Sequence, residues 1–433
     1  MEPIPQALAS DSYPSVQEDV ARLAGSPEVR AAFDRFRSQE SQFALWQMEA
    51  TRVAAPPFGE AARGLWLADR FRELGLLDVR VDEVGNVFGI RPGYGTRYVA
   101  LSAHIDTVFP ATTPLHIRQQ GSRLYGPGVA DNGAGIAAML AVASVLASAR
   151  ISHGLPFLFI GNVGEEGEGD LRGMRHVFAT PRWRDAIAYS VIVDGAGTDT
   201  VVAEALGSRR FEVIVRGPGG HSWSDFGAPN PIFALSRAID ALSRTPVPAS
   251  PKTTFNVGVI RGGTSVNSIP ESASMRIDFR STSMAEIDRL ERALRTALQQ
   301  SVLLENRAAA EHATRRPQVL QSEVLEIGNR PAGELAPDAR LLKVIRAVDA
   351  QLGNNAQVQR ASTDANIPLS LGREAIAIGG GGSGGGAHTL QEWFDCDGRG
   401  LGLRRILLTM LALSGVENSE SVSHKSVLGR ARL

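Results

Sequence analysis

Residue types that commonly bind metal ions are concentrated in five short segments of this 433-residue chain. The segments are SAHIDTVF with His104 and Asp106, GVADNGAG with Asp131, GNVGEEGEG with Glu165 and Glu166, SVIVDGAG with Asp194, and GGGAHT with His388. Imidazole nitrogens together with carboxylate oxygens suit zinc and similar borderline cations. The five segments therefore predict a hydrolytic site built around two metal ions.

Each of these segments follows, or adjoins, a predicted strand. His104 and Asp106 come after the apolar run YVALSA, at the carboxyl end of a strand, where α/β proteins place their ligands. Residues two apart on an extended chain point the same way, so the Asp106 carboxylate can sit behind the His104 imidazole and fix its tautomer. The adjacent Glu165 and Glu166 point in opposite directions, so one can hold a metal while the other faces the reacting water.

Taken singly, each segment also has a plain structural alternative. Asp131 precedes a predicted helix and could be its N-cap. The acidic run EEGEGD could be a solvated turn, and His388 could belong to a flexible turn after the glycine run 379–386. That bare backbone could equally approach a ligand and offer amide donors to an anion. Asp194 ends the apolar run SVIV, where an unpaired charge is costly, and the combination of five segments favours the metal site.

The surrounding elements predict an α/β layer. Apolar residues recur at helical spacing over residues 14–49 and 59–74, so two helices are predicted before the first strand. Strands then follow at DVRVDEV, NVFGIRP and YVALSAH, a helix at 133–149, and strands at LPFLFIGNV and SVIVDG. The last two are continuous apolar runs, as expected of strands covered on both faces. Alternating strands and helices indicate a mostly parallel central sheet.

A second, inserted domain is predicted after residue 205. The order there is RRFEVIVRG, a helix at 230–243, TTFNVGVIRGG, ASMRIDFRS, a helix at 285–302 and QSEVLEIG. This β-α-β-β-α-β series is typical of a small ferredoxin-like α+β domain. From residue 338 the first pattern returns. We therefore predict a catalytic domain formed by residues 1–206 and 330–433, with a lid and dimerisation domain at 207–329.

Composition narrows the classes of partner. The chain is 43% hydrophobic and 21% charged, with a net charge of −1, so nothing recommends nucleic acid or a membrane surface as a partner. The first twenty residues lack the charge and apolar run of a secretory signal, and the single cysteine, Cys396, cannot form an internal disulfide. We expect a cytoplasmic protein.

Several segments together resemble a known family. They are SAHIDTVF, GVADNGAGIAAML, GEEGEG, VDG, RGPGGHSW, GGTSVNSIPESASMRIDFRS and GGAHT. They look like the co-catalytic zinc peptidases and amidohydrolases that include carboxypeptidase G, peptidase T, aminoacylase-1 and succinyl-diaminopimelate desuccinylase. The resemblance runs in the family's order over roughly residues 50–413 and includes its inserted lid domain. The segments PFGEAARGLWLADRFRELGL, STDANIPLSLG and AHTLQEWFD look more like peptidase T and related peptidases than like the acetylornithine deacetylases.

The resemblance implies a centre with two zinc ions, for which cobalt or manganese can substitute. The implied ligands are His104 and Asp194 for one ion, Glu166 and His388 for the other, and Asp131 bridging both. Asp106 would orient His104, and Glu165 would be the general base.

The resemblance also implies roles for the lid. His221 would reach into the active site of the neighbouring subunit, which implies a homodimer formed through the lid. Asn267 and Arg280 match positions that often bind the substrate carboxylate, together with amides of the glycine run such as Gly385 and Gly386. A turn histidine, a turn amide and an exposed strand arginine are the structural alternatives for the three lid side chains.

The predicted function is hydrolysis of an amide bond in a short peptide, of the aminopeptidase or carboxypeptidase type. The alternative substrate is an N-acyl amino acid. Two further readings stay open: a catalytically silent binding protein of the same fold, and a mononuclear or phosphate-directed hydrolase.

Overall fold

The computed structural model describes residues 15–149, 151–312 and 318–415. The first fourteen residues, which belong to the predicted N-terminal segment, and the tail from Val416 lie outside the described residues. The helices are α1 Val16–Gly25, α2 Pro27–Ser38, α3 Glu40–Arg52, α4 Ala61–Glu73, α5 Gly133–Ser148, α6 Arg172–Ala179, α7 Pro181–Ala186, α8 Pro231–Ser243, α9 Met284–His312, α10 Arg340–Leu352, α11 Asn366–Ser370 and α12 Arg399–Ser414.

The strands include several that are only two or three residues long. They are β1 Leu77–Val81, β2 Val87–Arg91, β3 Tyr98–His104, β4 Arg118–Gln120, β5 Arg123–Tyr125, β6 Phe157–Asn162, β7 Ile187–Val193, β8 Thr200–Ala205, β9 Gly207–Arg216, β10 Gly220–His221, β11 Thr253–Gly262, β12 Ser268–Ile269, β13 Ser272–Ser281, β14 Gln321–Arg330, β15 Gly333–Glu334, β16 Gln357–Ala361, β17 Glu374–Ile378, β18 Ser383–Gly385 and β19 Trp393–Asp395.

From residue 15 onward four helices precede the first strand, so the prediction of two is wrong. The first predicted helix is divided into α1, α2 and α3. Ser26 has extended backbone, and its side chain accepts a hydrogen bond from the Val29 N–H, while Pro27 occupies the first position of α2. A proline disfavours helical backbone in the residue before it, which ends α1 here. At Gln39 the backbone leaves helical geometry again, and α3 begins.

The larger sheet has nine strands, and its central part is parallel, as predicted. Its order is β1-β2-β6-β3-β7-β17-β8-β15, with β16 also paired to β8. The neighbours β6, β3, β7 and β17 pair in parallel, whereas β1, β2 and β15 pair antiparallel at the two edges. Three of these strands, β3, β6 and β7, are the predicted apolar runs, and candidate ligands lie at or after the end of each.

Helices cover both faces of this sheet. Val99 and Leu101 of β3 belong to the core formed with α4, α5, α10 and α12, whereas Ala100 belongs to the core formed with α6 and α7. Alternate residues of a strand point to opposite faces, so a strand between two cores must be apolar throughout. Within the described residues, no helix is both long and apolar enough to cross a membrane.

The second sheet has the order β11-β13-β9-β14, with every pair antiparallel. Together with α8 and α9 it forms the predicted ferredoxin-like α+β unit. Its core includes Phe211 and Val213 of β9, Leu235 of α8, and Leu290 and Leu294 of α9. The domain limits 206/207 and 329/330 stay a prediction, although β9 begins at Gly207 and β14 ends at Arg330.

Two small sheets complete the fold near the chemistry-bearing residues. One has the order β18-β19-β5-β4, and the other is the pair β10-β12. The first places the loop that contains His388 beside the chain segment that leads from β5 to Asp131, because Trp393 of β19 pairs with Tyr125 of β5.

Candidate metal centre

The parallel strands end side by side, and the candidate ligands leave from their carboxyl ends. His104 is the last residue of β3 and pairs in register with Asn162, the last residue of β6. Asp194 follows β7, and its N–H donates to the carbonyl of Ile378 at the end of β17 at 3.0 Å. Parallel strands that are hydrogen-bonded in register must present their following residues at one edge.

The side chains of the other four candidate ligands converge on Asp131. Its Oδ1 lies 3.1 Å from His104 Nε2, and its Oδ2 lies 3.1 Å from His388 Nε2. Two sets of donor atoms that share Asp131 lie within 4.8 Å of one another: His104, Asp131 and Asp194 in one, and Asp131, Glu166 and His388 in the other. A third set of the same kind consists of His104, Glu165 and Glu166. Within the sets, His104 Nε2 is 3.7 Å from Asp194 Oδ1, and His388 Nε2 is 3.1 Å from Glu166 Oε1.

The donor chemistry of these sets fits a pair of cations. His104 Nδ1 lies 3.2 Å from the Asp106 carbonyl oxygen and 3.5 Å from Asp106 Oδ1, which places the ring proton on Nδ1. The lone pair of Nε2 then faces the oxygens of Asp131 and Asp194. The nitrogen and the two carboxylate oxygens are all hydrogen-bond acceptors, so their close approach is stable only when a proton or a metal ion lies between them. A metal ion and a proton compete for these atoms.

The electrostatics of the histidines reflect the same crowding of carboxylates. Burial would lower the pKa of His104, but its contacts with Asp106, Asp131 and Asp194 raise that pKa well above its usual value. The contact with Asp131 is the main cause that raises the pKa of His388 to about 9. Positive charge is therefore favoured at both histidines, as expected of a site that attracts cations.

Asp106 lies behind His104 and is fully buried. Its two oxygens accept hydrogen bonds from the backbone N–H groups of Glu165 at 3.0 Å and Glu166 at 2.8 Å. One carboxylate thereby links the end of β3 to the loop after β6, so the direction of the His104 ring depends on the position of that loop.

Asp131 is not the N-cap of α5, so that structural alternative is wrong. The cap is Asn132, whose Oδ1 accepts from the N–H of Gly135 at 3.1 Å and from that of Gly195 at 3.0 Å. Its Nδ2 donates to the Val193 carbonyl at 2.9 Å. Asn132 therefore fixes the start of α5 against the residues on both sides of Asp194, and the Asp131 side chain is left to the candidate centre.

A buried glutamate that sequence reasoning missed holds the Asp131 segment. Glu392 is fully buried, and its carboxylate accepts from the N–H groups of Gly128, Ala130 and Asp131 at 2.7–2.8 Å. It lies in the same β18–β19 loop as His388, four residues further on. In the sequence, two features could have pointed to Glu392: its position four residues after the candidate ligand His388, and its position directly before the residues WFD of β19.

Glu165 and Glu166 are both buried, so the solvated-turn alternative is wrong for them. Glu166 faces His388, and burial raises its pKa to about 7. Glu165 points instead to Arg330, whose Nη1 donates to Oε1 at 2.8 Å. Burial raises the pKa of Glu165, although the charge of Arg330 acts in the opposite direction.

Beneath the centre lies a second buried pair that sequence reasoning missed. Asn162 Nδ2 donates to Asp364 Oδ2 at 2.6 Å, and both side chains are completely buried. Burial is the main cause that raises the pKa of Asp364 to about 7. Asp364 belongs to the segment STDAN. The only sign in the sequence that this segment is polar and buried was the pair of side chains Asp364 and Asn366, two residues apart.

His388 has an unusual backbone for its residue type. Its φ of 64° lies in the left-handed region, and its side chain is 53% exposed, the most accessible of the five candidate ligands. Non-glycine residues in this region are uncommon and cluster at functional sites. Gly385, the last residue of β18, and Gly386 lie three and two residues before His388.

The predicted residues of the lid are not in contact with the cluster in the described chain. His221 is exposed on β10, and its hydrogen bonds are local: its N–H donates to Asp225, and its Nδ1 accepts from the N–H of Trp223 at 3.2 Å. The exposed Asn267 side chain accepts from Ser265. Arg280 is half-exposed and donates to Asp278 at 2.6 Å.

Known proteins resemble this chain in both sequence and fold. Residues 100–411 match the family model described as "Peptidase family M20/M25/M40". A protein from Aspergillus clavatus named "Probable carboxypeptidase" is 34% identical over 203 residues, which cover 42% of this chain and 44% of that protein. A succinyl-diaminopimelate desuccinylase from Nitrosospira multiformis is 27% identical over 265 residues, or 57% of this chain and 69% of that protein. The chain spans about half the length of the carboxypeptidase relatives that it matches.

Solved structures share the fold over most of the chain. Aminopeptidase PepT from Bacillus cereus has a TM-score of 0.69 at 20% identity, covering 87% of this chain and 99% of its own. The YxeP protein of Bacillus subtilis, described as a dinuclear metal-binding peptidase, has a TM-score of 0.62 at 14% identity, covering 88% and 100%. At these identities the likeness shows the fold alone.

Proposed function

The chain belongs to the M20/M25/M40 peptidase family, and from this premise we propose that it is a metal-dependent hydrolase that cleaves an amide bond in a short peptide. The observation that carries the proposal is the position of Asp131, whose two oxygens face two different histidines, each beside another carboxylate. A single carboxylate in that position is suited to bridge two cations.

Two zinc ions fit the residues of this centre, with cobalt or manganese as substitutes. The proposed ligands are His104 and Asp194 for one ion, Glu166 and His388 for the other, and Asp131 for both. The chemistry that such a pair supplies is activation of water and polarisation of the scissile carbonyl. Asp106 holds His104 in the tautomer that leaves Nε2 free for coordination.

Glu165 is the proposed general base. It is buried next to Glu166, with Oε1 bonded to Arg330. A carboxylate oxygen of Glu165 lies within 4.8 Å of donor atoms of His104 and Glu166, so Glu165 reaches the candidate centre, while Glu166 and not Glu165 contacts His388. Glu165 accepts a proton from the attacking water and returns it to the departing amine.

His221 is the proposed donor to the oxygen on which negative charge develops. Because Nδ1 accepts from the backbone N–H groups of Trp223 and Ser224, the ring proton is on Nε2, which is free to donate. The residue is exposed, and its hydrogen bonds are made within its own loop and not with the candidate ligands. We therefore assign it to the site of a partner subunit, in a homodimer formed through the lid.

The proposed substrate is a di- or tripeptide with a free carboxylate. Arg280, Asn267 and the backbone amides of Gly385 and Gly386 are its proposed partners. Arg280 must then leave Asp278 or share its donors with it, since its Nε is bonded to Asp278 here. Both peptidase types are represented by name among the similar proteins, a carboxypeptidase and an aminopeptidase.

An N-acyl amino acid is the second candidate substrate, and the similarity to a desuccinylase favours it. Such a molecule also presents an amide and a free carboxylate to the same groups.

The test is hydrolysis of di- and tripeptides and of N-acyl amino acids by zinc-loaded, cobalt-loaded and chelator-treated protein, with metal content measured on each sample. Release of free amino acid that requires about two metal ions per chain would support the proposal. Activity at one ion per chain would favour a mononuclear hydrolase. Bound metal without turnover of any amide, in a protein that still binds these molecules, would favour the silent binding protein.

A further inference from the structure

Arg330 connects the proposed general base to the last strand of the lid sheet. It is the final residue of β14 and pairs in register with Ser208, near the start of β9. Its side chain is buried, and so is that of Glu165. The two residues are 165 positions apart in the chain, so only the fold brings them together.

The guanidinium holds Glu165 at two places. Nη1 donates to Glu165 Oε1 at 2.8 Å, and Nη2 donates to the backbone carbonyl of the same residue. The donors of arginine form a rigid planar fork, so fixing the main chain and the carboxylate together leaves the side chain little rotational freedom. No described residue donates a hydrogen bond to Oε2, so this oxygen is the one free to face a water molecule.

Arg330 is itself fixed by the segment after β16. Its Nη1 also donates to Ser362 Oγ at 3.3 Å. In the same segment, Asn366 Nδ2 donates to the carbonyls of Leu206 and Pro331, both at 2.9 Å. These two carbonyls belong to the chain segments that enter and leave the lid sheet, so Arg330 and both crossings are hydrogen-bonded to one short segment, residues 362–366.

We propose that Arg330 is a positioning residue, which sets the Glu165 carboxylate so that Oε2 faces the reacting water. The inference rests on the proposed function, since it assigns a partner to the proposed base. A group that transfers a proton must be held close to its productive geometry, and a misplacement of about 1 Å can cost about 100-fold in rate. Two contacts to one residue, at its carboxylate and at its carbonyl, meet that requirement.

A purely structural ion pair is the competing explanation, and Arg175 provides the control. Arg175 lies at the same junction, where it donates to the carbonyl of Asn329, the residue before Arg330, and to Asp170. Neither its hydrogen bonds nor its ion pair involve Glu165. Arg175→Met therefore loosens the same junction without touching the base.

The experiment compares kcat, KM, metal content and thermal unfolding of the wild type, Arg330→Met, Arg330→Lys, Arg175→Met and Glu165→Ala. We expect Arg330→Met to lower kcat about 100-fold, with bound metal retained and KM changed less than about threefold. Arg330→Lys keeps one donor and should recover part of the loss. Arg175→Met should keep kcat within about threefold of the wild type, even if its melting temperature falls.

A wild-type kcat in either Arg330 variant, or an equal loss in Arg175→Met, would overturn the inference. If the wild type is active and Glu165→Ala is inactive, such a result removes Arg330 alone; an active Glu165→Ala removes the base assignment itself. Crystal structures of the wild type and Arg330→Lys provide a readout that needs no substrate. We expect Glu165 to change its orientation in Arg330→Lys, and an unchanged Glu165 would contradict the proposal.

Discussion

Asp131 is the residue on which both halves of the candidate centre depend. Its oxygens lie 3.1 Å from His104 and 3.1 Å from His388, and no other carboxylate of the described chain belongs to both the His104–Asp194 set and the Glu166–His388 set. The remaining carboxylates are divided by their direction: Asp106 points to backbone N–H groups, and Glu165 to Arg330. Identical chemical groups thus receive different roles from their neighbours.

Glu165→Ala should retain bound metal and fold normally but lose turnover by roughly 100- to 10,000-fold, the usual contribution of a general base. The measurement is kcat on the best substrate, with metal content of the same sample. Glu168→Ala is the control, because Glu168 lies in the same loop with its side chain 78% exposed. An active Glu165→Ala enzyme would refute the base assignment.

His388→Ala should lose one of the two proposed metal ions and nearly all activity, because His388 belongs only to the set formed with Asp131 and Glu166. Metal content after dialysis, together with kcat, provides the measurement. His116→Ala is the control, since His116 is exposed and outside both sets. Two retained ions in His388→Ala would contradict the ligand assignment.

At the scale of elements, the small sheet β18-β19-β5-β4 holds together two loops that are far apart in the chain. Glu392 accepts three backbone N–H groups from residues 128–131, and its own carbonyl accepts from the Gly126 N–H at 2.9 Å. The loops that carry Asp131 and His388 are therefore fixed to each other by one side chain and one strand pair.

Glu392→Ala should weaken metal binding by about 10- to 100-fold, the usual effect of removing a group that orients ligands. The reason is that three backbone donors lose their acceptor in the segment that carries Asp131. Metal affinity measured by competition with a chelator tests this. Glu374→Ala is a matched control, because Glu374 also accepts a backbone N–H, that of Leu341, but at the opposite end of its strand from the centre. Equal metal affinities in the two variants would contradict the expectation.

Local patterns predict the long elements and fail for the short ones. β3, β6 and β7 are continuous apolar runs, and the alternating runs of the lid predict its four strands. Strands of two or three residues, such as β10, β12 and β18, have no measurable period. The helix boundary at Ser26 and Pro27 had a local signal, a capping residue followed by proline, that apolar spacing alone does not contain.

The same distinction holds for the site. His104, Glu166 and Asp194 lie at or after the ends of predicted strands, so their proximity could be predicted from the sheet, whereas Asp131 precedes a predicted helix and His388 follows a glycine run. Arg330 and Glu392 could not be predicted, because their partners are 165 and 261–264 positions away and neither lies in a periodic segment. Long-range polar pairs of this kind depend on the packed fold.

At the scale of the molecule, the proposed role of His221 requires two subunits. The residue is exposed and bonded only within its own loop, whereas the candidate ligands surround Asp131. A site completed by the partner makes each subunit depend on the other.

Mixing inactive Glu165→Ala and His221→Ala proteins should therefore restore activity. In a mixed dimer, the subunit that keeps Glu165 receives an intact His221 from its partner, so random exchange of a two-fold dimer should give about one quarter of the wild-type activity. The measurement is kcat after mild dissociation and reassociation, with each variant treated alone as the control. No recovery in verified mixed dimers would place His221 in its own subunit's site, and an active His221→Ala protein before mixing would place it outside the chemistry.

The candidate ligands are also far apart along the chain, so they are synthesised at different times during translation. A ribosome adds His104, Asp131, Glu166 and Asp194 first, then the whole lid, and only then His388 and Glu392. Until those last residues emerge, the growing polypeptide lacks one ligand of the second set and the carboxylate that fixes Asp131. Under the proposed function, the hydrolase therefore stays inactive throughout most of its own translation.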